Sequence, residues 1–545
     1  MTRKILTLAL ACMMLFALVL SGCSGSGSKS TTAAATTAAA TTAAATTAAA
    51  TTAPAATGGD WDTGSVEFTP LGIDGGGASL QWYSAIAPQD TRNQVWEEME
   101  GYISTVYNMD VDMVLTEWSE YPSKLKTLIA SGMAPDVFYM SPAFGLLDYV
   151  ADDVLLDMSP YFDSCMPKTY AKVSGYLDAV TFDGKVVAVM PFKDLAENNS
   201  LLYDQRWLDE SGYEMVEWTR MYDLDELYYK LREWADTAHP ERHDIPITTM
   251  YDLFYRNFNL ETYSSPNTTI VTNYDGMEFV EGYKAGSEMF CMYDTPEFLA
   301  HVKRLNQMVT DRIYPYDKEN YDKDNVNRKS GDQFSWTSQG YLFAPDNLTD
   351  YECKLQMQAV SMMYTGYVQA ALTSIYSDTE NPEAACKFVE ICHNDPYLGT
   401  CLRFGKEGTH WTMTDNGQAD CSIGKDSGVK LWYAVQIGDI TNCILPTDVE
   451  PTFGEALKEM NDSAVHSSNL GFSVDTTDIQ NEITAVSAVC SEYLNGTSLY
   501  SGMLTAEESD KLVEEFVNKL KDNGVETILT TFQGQLDAWR AANGK

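Results

Sequence analysis

The sequence predicts an α/β fold built on a parallel β-sheet, and three features of the chain support this prediction. Short apolar segments with strand character alternate with longer amphipathic segments over residues 78–141, an order that favours parallel strands joined by helices. The chain is 44% hydrophobic and 12% aromatic, enough to bury a large core. Its folded part, about 485 residues from Asp60, is long enough for two lobes or more.

The predicted elements follow one another in order along this part. "ASLQWYSA" is the first strand, "TRNQVWEEMEGYISTVY" an amphipathic helix and "VDMVLTE" the second strand. A helix closed by Gly132 leads to a third strand, "PDVFYMS". The predicted strands are 78–85, 111–117, 135–141 and 185–192, and the predicted helices are 91–107, 121–132, 223–238, 297–311, 381–395, 505–524 and 525–543. No GxGxxG, Walker A or GxSxG motif stands at a strand–helix junction, so the sequence does not predict nucleotide binding or esterase activity.

The first 22 residues have the pattern of a secretory signal peptide. Arg3 and Lys4 precede an apolar run over residues 5–20, and about 16 apolar residues are fewer than the roughly 20 that a membrane-spanning helix needs. The run ends in "LSGC", which resembles the lipobox of bacterial lipoproteins. This resemblance implies cleavage before Cys23, a diacylglycerol on its sulfur and a lipid anchor at the extracellular face of a bacterial, Gram-positive membrane. The alternative is an ordinary cleaved signal with an incidental cysteine.

Residues 24–59 predict a flexible tether. They consist of Ser, Gly, Thr and Ala with a repeating TTAAA unit and no large apolar side chain, so ordering them would cost entropy without burying apolar surface. A random coil of about 35 residues spans roughly 30–35 Å. Such a tether would lift the folded part away from the membrane.

The charge of the chain restricts its partners. The net charge is −42, and removal of Arg3 and Lys4 with the signal makes it −44. A body this acidic repels phosphate backbones. Nucleic acid is therefore not an expected partner, whereas neutral ligands are.

Nine of the 11 cysteines remain after Cys12 leaves with the signal and Cys23 is lipidated. Because nine is odd, at least one is unpaired or pairs between chains. Cys386 and Cys392 are six positions apart on a predicted helix and face different ways. A zinc site that uses Cys392 and His393 is one interpretation, and buried free thiols are the expected one, without metal or cofactor.

Several longer segments resemble one protein family. "KLKTLIASGMAPDVFYMS" and "MPFKDLAENNSLLYDQRWLDESGYE" are similar to segments of family 1 extracellular solute-binding proteins, the receptors of carbohydrate ABC importers. "NPEAACKFVEICHNDPYLGTCLRFGKEGTHW" and the C-terminal "GFSVDTTDIQNEITAVSAVCSEY" and "NKLKDNGVETILTTFQGQLDAW" resemble the LplA/LipO-type lipoprotein branch. The resemblance covers most of the chain after Asp60.

The resemblance implies the periplasmic-binding-protein fold, an α/β architecture of two lobes with a hinge and an interlobe ligand cleft. It implies a monomer that binds a carbohydrate, performs no chemistry and delivers its ligand to ABC transporter permease subunits. The expected division is 1–22 signal peptide, 23–59 lipidated cysteine and linker, 60–192 and 359–404 first lobe, and 193–358 and 405–545 second lobe with the C-terminal helices.

Candidate ligand contacts are aromatic and polar residues near strand ends, because a sugar ring needs flat apolar surfaces and fixed hydrogen-bonding groups. In the first lobe these candidates are Trp82, Tyr83, Asp90, Trp118, Tyr121, Tyr139 and Ser141. Trp82 and Tyr83 are adjacent on a strand and point to opposite faces, so at least one should lie in the core. Trp118 either stacks on a sugar ring or packs against the following helix.

The remaining candidates lie nearer the hinge and the second lobe. They are Glu197, Trp336, His410, Trp411 and Trp432. Glu197 accepts hydrogen bonds from sugar hydroxyls in this interpretation and is a solvated hinge acid in the alternative. His410 and Trp411 contact ligand or form a structural turn.

Two other functions remain open from the sequence. With 78 acidic residues, a pair of catalytic carboxylates at glycosidase spacing is possible, although no segment resembles a hydrolase signature. The third hypothesis is an adhesion protein that displays aromatic residues to a polysaccharide.

Overall fold

The fold is built from sixteen strands and sixteen α-helices within the described residues of a computed structural model. The structure describes residues 61–249, 253–315, 333–339, 353–424, 436–447, 449–495 and 499–545. The strands are β1 (Ala78–Ser84), β2 (Met109–Leu115), β3 (Val137–Met140), β4 (Thr181–Phe182), β5 (Lys185–Val186), β6 (Asn199–Asp204), β7 (Leu260–Thr262), β8 (Ile270–Asn273), β9 (Phe290–Cys291), β10 (Ser335–Gln339), β11 (Cys353–Met357), β12 (Met362–Met363), β13 (Leu372–Ile375), β14 (Thr412–Met413), β15 (Ala419–Asp420) and β16 (Val465–His466).

Most helices begin near a proline or an acidic residue, which suits a helix start. The α-helices are α1 (Asp90–Tyr107), α2 (Tyr121–Ala130), α3 (Leu146–Ala151), α4 (Phe162–Cys165), α5 (Pro167–Val173), α6 (Gln205–Ser211), α7 (Asp225–Ala238), α8 (Phe254–Asn257), α9 (Pro296–Thr310), α10 (Thr365–Val368), α11 (Pro382–Asn394), α12 (Pro396–Phe404), α13 (Phe453–Asp462), α14 (Gln480–Cys490), α15 (Ala506–Asp522) and α16 (Val525–Ala542).

The first sheet has the order β13-β3-β1-β2. Strand β1 runs parallel to β2 and β3, whereas β13 is antiparallel to β3. The predicted α/β sheet is confirmed, with parallel pairing of β1, β2 and β3, whereas the predicted strand over 185–192 is not among its strands. Because β1, β2 and β3 point the same way, their carboxyl ends lie along one edge of this sheet.

Helices α1 and α11 cover one face of this sheet. Trp82 on β1 packs there, with ring centroids 4.8 Å from Trp96 and 5.7 Å from Phe388. The side chain is almost fully buried. The structure thus places the candidate Trp82 in the core, because its position on the strand turns it toward the covering helices.

Three clusters of buried apolar side chains divide the described chain into two lobes. The first lobe is defined by a core drawn from residues 66–196 and 363–470. The second lobe has cores drawn from residues 201–314 with Phe334 and from 254–302 with 472–536. The change of core falls between Leu470 and Phe472, whereas the sequence assigned the whole of 405–545 to the second lobe. Residues such as Trp411 and Leu457 pack in the first lobe because helix α13 and its neighbours lie against it.

The described sheets of the second lobe are antiparallel. Strand β6 lies between β10 and β11, and β8 lies between β7 and β9. The C-terminal helices α14, α15 and α16 pack on the core beside β7–β9 and bury large apolar side chains there, among them Phe516, Ile528 and Phe532.

Three chain segments, here called the first (192–199), second (357–364) and third (464–471) crossings, connect the lobes. Glu197 and Met362 exchange backbone hydrogen bonds of 2.7 and 2.9 Å. Strand β12 in the second crossing then pairs in parallel with β16 in the third. The three crossings therefore form one small hydrogen-bonded ladder at the hinge.

The described residues contain no helix that is both long and apolar enough to cross a bilayer. The nine cysteines that they include are free thiols, and seven of these are buried.

Candidate functional site

The carboxyl edge of the first sheet is where the structure gathers most of the candidate residues. Strands β1, β2 and β3 end at Ser84, Leu115 and Met140, and loops leave from there to the following helices. Tyr83, Trp118, Tyr121, Tyr139 and Ser141 all lie at this edge, and Asp90 is exposed at the start of α1. In open α/β sheets this edge is where ligands bind.

Trp118 is the exposed member of an aromatic cluster at this edge, here called the aromatic platform (Tyr83, Trp118, Tyr121, Tyr139 and Phe144). Its side chain is 42% exposed, whereas the other four are buried. The ring centroid of Trp118 lies 4.6 Å from Phe144 and 5.6 Å from Tyr139. Tyr121 stacks on Tyr83 at 5.0 Å. The platform therefore presents one flat apolar ring on a packed aromatic base.

Tyr121 fixes this base to the sheet. Its hydroxyl lies 2.8 Å from the Tyr139 carbonyl oxygen and 3.1 Å from that of Tyr83. The residue is fully buried, and burial raises the pKa of its hydroxyl well above the ordinary value. It therefore remains a hydrogen-bond donor that ties the ends of β1 and β3 together.

The loop after β1 is held by Gln436 of the first lobe. Its Oε1 accepts hydrogen bonds from Ser84 Oγ at 2.7 Å and from the Ala85 amide at 3.2 Å, and its Nε2 donates to the Ala85 carbonyl at 3.0 Å. Gln436 follows directly on the segment 425–435. Trp432 lies in that segment, outside the described residues.

Arg92 and Glu117 add charge beside the platform. Arg92 Nη1 donates to the Ala87 carbonyl at 2.8 Å. Burial lowers the pKa of the Arg92 guanidinium, and the nearby Glu117 carboxylate opposes this shift. A cation and an anion beside an aromatic ring can hydrogen-bond to sugar hydroxyls.

Glu197 lies in the hinge and is almost fully buried. Tyr364 donates to its Oε2 at 2.7 Å, and the Arg256 guanidinium lies 3.1 Å from its Oε1. Both partners are on other segments of the chain, in the second crossing and in α8. In this conformation Glu197 therefore forms a buried ion pair across the hinge.

A second polar cluster lies beside it. Tyr367 on α10 donates to Asp194 at 3.2 Å, and the Lys193 ammonium lies 3.4 Å from the same carboxylate. Lys193 also lies 5.7 Å from the Tyr367 ring centroid. The first crossing thus carries an adjacent cation and anion, and both contact the Tyr367 ring or hydroxyl of α10.

The other candidates lie apart from the aromatic platform. Trp336 on β10 is buried against Leu202 and Cys353 in the second lobe. Trp411 is fully buried in the first lobe, and its Nε1 donates to the Gly405 carbonyl at 2.9 Å. His410 Nδ1 accepts from the Lys406 amide at 2.9 Å. His410 and Trp411 thus close a turn, which was the structural alternative for this pair.

Sequence analysis missed several residues of this region, among them Phe144, Arg92, Gln436, Arg256 and Tyr364. Phe144 stands in a short helical turn directly after β3, so its distance from the strand end was an available signal. Arg256 and Tyr364 are far from Glu197 in sequence, and nothing in the residue pattern pairs them.

The described residues contain no cluster of three or more His, Cys, Asp or Glu side chains placed to hold a metal ion. His393, one half of the weighed zinc pair, is fully buried, and burial lowers its pKa to about 3. It is therefore neutral at physiological pH.

Comparison with known proteins identifies the relatives of this chain. Residues 468–541 match a family model described as a domain of unknown function, DUF3502. Over 452 residues the chain is 20% identical to a carbohydrate ABC transporter substrate-binding protein of Streptococcus pneumoniae, covering 78% of this chain and 84% of that protein.

Solved structures with the same fold include two solute-binding proteins. The N-glycan transport solute binding protein NgtS of Streptococcus pneumoniae superposes with a TM-score of 0.67 at 18% identity, over 85% of this chain and 98% of that chain. An HMO-binding, ABC-transporter-associated solute binding protein of Bifidobacterium longum infantis superposes with a TM-score of 0.53 at 15% identity, over 85% and 99%. The structural likenesses confirm the predicted two-lobed fold of solute-binding proteins. The match to a carbohydrate ABC transporter substrate-binding protein agrees with the predicted resemblance, whereas the LplA/LipO-type branch is not confirmed. The relatives are binding proteins for transport, not enzymes.

Proposed function

We propose that this chain, a relative of the substrate-binding proteins of carbohydrate ABC transporters, captures an oligosaccharide on its aromatic platform and passes it to an ABC permease. A lipid on Cys23 anchors it at the outer face of the cell membrane, and residues 24–59 form its tether. Cys23 and this tether lie outside the described residues. The chain acts as a monomer, and no bond of the ligand is made or broken.

The exposed ring of Trp118 is the observation that carries this proposal. An indole that is 42% exposed beside four buried aromatic rings offers an apolar face at the sheet edge where α/β proteins bind ligands. Its base is held by Tyr121, so the ring needs little ordering before it binds. NgtS, which shares the fold, has been solved in complex with Man1GlcNAc and Man5GlcNAc, which supports a glycan as the ligand class.

The three-segment ladder at the hinge supports capture by lobe closure. Three crossings that are joined by backbone hydrogen bonds can bend together while the packed lobes stay rigid. Asp90, Tyr83 and Ser141 are the proposed polar contacts from the first lobe. Glu197 of the hinge and Trp336 of the second lobe remain candidates for the contacts from the other side of the cleft.

Trp82 and Trp411 are proposed to act through packing, because both are buried in the first core. His410 is proposed to position the turn before Trp411. Trp432 remains a candidate ligand contact on the sequence resemblance alone.

A glycan screen on the purified chain tests the function. Thermal unfolding is measured with neutral high-mannose N-glycan fragments, human milk oligosaccharides, maltodextrins and xylo-oligosaccharides. We expect one class to raise the unfolding temperature, with about 2.7 kcal/mol of stabilisation at a ligand concentration a hundred times Kd. Mass spectrometry should recover that glycan unchanged.

Each other outcome contradicts the proposal. Shortened glycan products would indicate a hydrolase. A response to polysaccharide but not to soluble oligosaccharide would indicate an adhesion protein. A thermal shift with amino acids or peptides on a parallel plate, but with none of the glycans, would indicate a receptor for another solute.

A further inference from the structure

The third crossing makes side-chain hydrogen bonds to the second lobe in addition to its backbone hydrogen bonds with the second crossing. Val465 and Ser467 donate backbone hydrogen bonds of 2.9 and 2.8 Å to Ser361 and Met363 of the second crossing. Farther along, Gly471 has a φ of 98°, and a β-carbon there would lie 2.8 Å from the Asp178 carbonyl oxygen of the first lobe. Between these points lie three polar side chains that reach into the second lobe.

Glu261 on β7 receives two of them. Ser467 Oγ donates to its Oε2 at 2.7 Å, and Asn469 Nδ2 lies 3.4 Å from the same oxygen. Thr272 of β8 adds a third donor at 3.4 Å. These donors are all neutral, and the Glu261 side chain is almost fully buried.

Several charged and titratable groups surround Glu261, and they come from the segments of β7 and β8, from the hinge and from α16. Asp275, after β8, accepts a 2.7 Å hydrogen bond from the Ser468 amide. Tyr263 on the same chain segment as Glu261 receives a 3.0 Å hydrogen bond from Asn469 Nδ2. Tyr274 lies on the hinge side, and Lys545 lies near the end of α16. Arg540 of α16 reaches Asn469 and not the Glu261 carboxylate.

The pKa of the Glu261 carboxyl is raised to about 7, chiefly by burial and also by the neighbouring Asp275, against the hydrogen bonds from Ser467, Tyr263 and Asn469, which lower it. The neutral carboxyl therefore suits this site better than the carboxylate. Stabilisation from this group is fully present below its ordinary pKa of 4.5 and is lost as the pH rises through about 7.

Arg540 sets the orientation of Asn469. Its Nη1 donates to Asn469 Oδ1 at 2.7 Å and to the Gly286 carbonyl at 2.8 Å. With the amide oxygen bound in this way, the Asn469 nitrogen points toward Glu261 and Tyr263. Arg540 belongs to α16, within the segment 468–541 that matches the domain of unknown function.

We propose that Arg540 is a positioning residue for the hinge: through Asn469 it holds Glu261 against the third crossing, and proton binding at Glu261 strengthens this hold. The C-terminal domain of unknown function thus acts as the part of the second lobe that fixes the hinge. The inference rests on the proposed function in one respect only, which is that lobe closure is the motion that the hinge controls.

Hydrogen–deuterium exchange of the ligand-free full chain tests the proposal without any glycan. The amides of residues 464–471 are followed at pH 5.5, 7 and 8.5, after correction for the intrinsic pH dependence of exchange. We expect faster corrected exchange at pH 8.5 than at pH 5.5, with a midpoint near 7. Glu261→Gln, which is neutral at every pH, should keep the slow rate throughout.

Arg540→Met should speed exchange of these amides by about fivefold, the effect of losing about one hydrogen bond. It should also move the midpoint to higher pH, because Glu261 loses a donor that favours its charged form. Arg540→Lys should restore part of the slow exchange. Lys521→Met is the matched control, since it removes a cation of the same C-terminal segment whose partner, Asp294 at 2.5 Å, lies away from the crossing.

An unchanged exchange rate and midpoint in Arg540→Met would overturn the proposal. If that variant does not fold, Glu261→Gln decides alone, and persistence of the wild-type pH dependence in it would overturn the proposal. Failure of every glycan to bind would leave these exchange results unaffected, so the two proposals fail separately.

Discussion

Trp118 shows what a single residue contributes at this site. The sequence placed it correctly at the end of the second strand, but it could not choose between stacking on ligand and packing on a helix. In the structure one side of the ring packs on Phe144 and Tyr139, while 42% of the side chain is exposed to solvent. Exposure depends on residues from distant parts of the chain, which a sequence pattern does not contain.

Trp118→Ala should weaken oligosaccharide binding about tenfold, because burying roughly half of such a ring against a sugar contributes about 1.4 kcal/mol. Isothermal titration calorimetry with the best glycan from the screen measures this change. Trp118→Phe should lose less. Tyr170→Ala is the control, since Tyr170 is 40% exposed in the same lobe but lies on α5 against Phe162. Equal affinities of Trp118→Ala and the wild type would show that the aromatic platform does not bind the ligand.

Glu197→Gln should destabilise the chain by about 3–5 kcal/mol, because it leaves the buried Arg256 guanidinium without its anion. Urea unfolding monitored by tryptophan fluorescence measures the loss. Glu197→Gln combined with Arg256→Met should recover part of it. Glu507→Gln, which breaks the exposed pair with Lys511, should change stability by less than about 1 kcal/mol. If Glu197→Gln and Glu507→Gln lost similar amounts of stability, the Glu197–Arg256 ion pair would contribute no more than an exposed one.

At the scale of elements, helices were predicted best. The segments 297–311 and 381–395 became α9 (Pro296–Thr310) and α11 (Pro382–Asn394), because each has a clear 3.6-residue apolar spacing and a proline near its start. The hinge strands β12 and β16 have two residues each. Such short strands carry no alternating pattern, so the sequence could not reveal them.

The predicted strand over 185–192 shows the same limit. Only β5, Lys185–Val186, forms a regular strand there, and Val189 makes an isolated bridge to Thr373. The apolar run "VVAVM" is buried, but its partners are irregular segments from elsewhere in the chain. Pairing between distant segments is a tertiary property that apolar composition alone does not determine.

Tyr274→Phe should loosen the hinge ladder, because the Tyr274 hydroxyl reaches the Val465 carbonyl at 2.8 Å and also the Met363 carbonyl. Loss of this donor should lower the free energy of unfolding by about 1 kcal/mol and speed hydrogen exchange in residues 464–467. Tyr170→Phe serves as the control. Unaltered exchange in those residues would show that the ladder does not depend on Tyr274.

At the scale of the whole molecule, the C-terminal helices complete the second lobe. Phe516, Leu520, Ile528, Phe532 and Leu536 are fully buried in its core. A chain that ends at residue 504 should therefore lose the packing of this lobe, and near-ultraviolet circular dichroism should show a reduced aromatic signal. Cooperative unfolding of that shortened chain with full-length stability would contradict this role.

The net charge of −42 predicts discrimination against anionic glycans. Sialylated or sulfated forms of the bound oligosaccharide should bind more weakly than the neutral form, and the difference should shrink as salt screens the repulsion. Titrations at low and at high sodium chloride concentration measure this. Tighter binding of the anionic form at low salt would contradict the claim that the acidic chain selects neutral glycans.

A crystal structure of the chain with the oligosaccharide from the glycan screen tests the central claim most directly. The account predicts a sugar ring against the exposed face of Trp118, contacts from both lobes and bending confined to the three crossings. A glycan bound elsewhere, or bound with the lobes arranged as they are without it, would contradict the account.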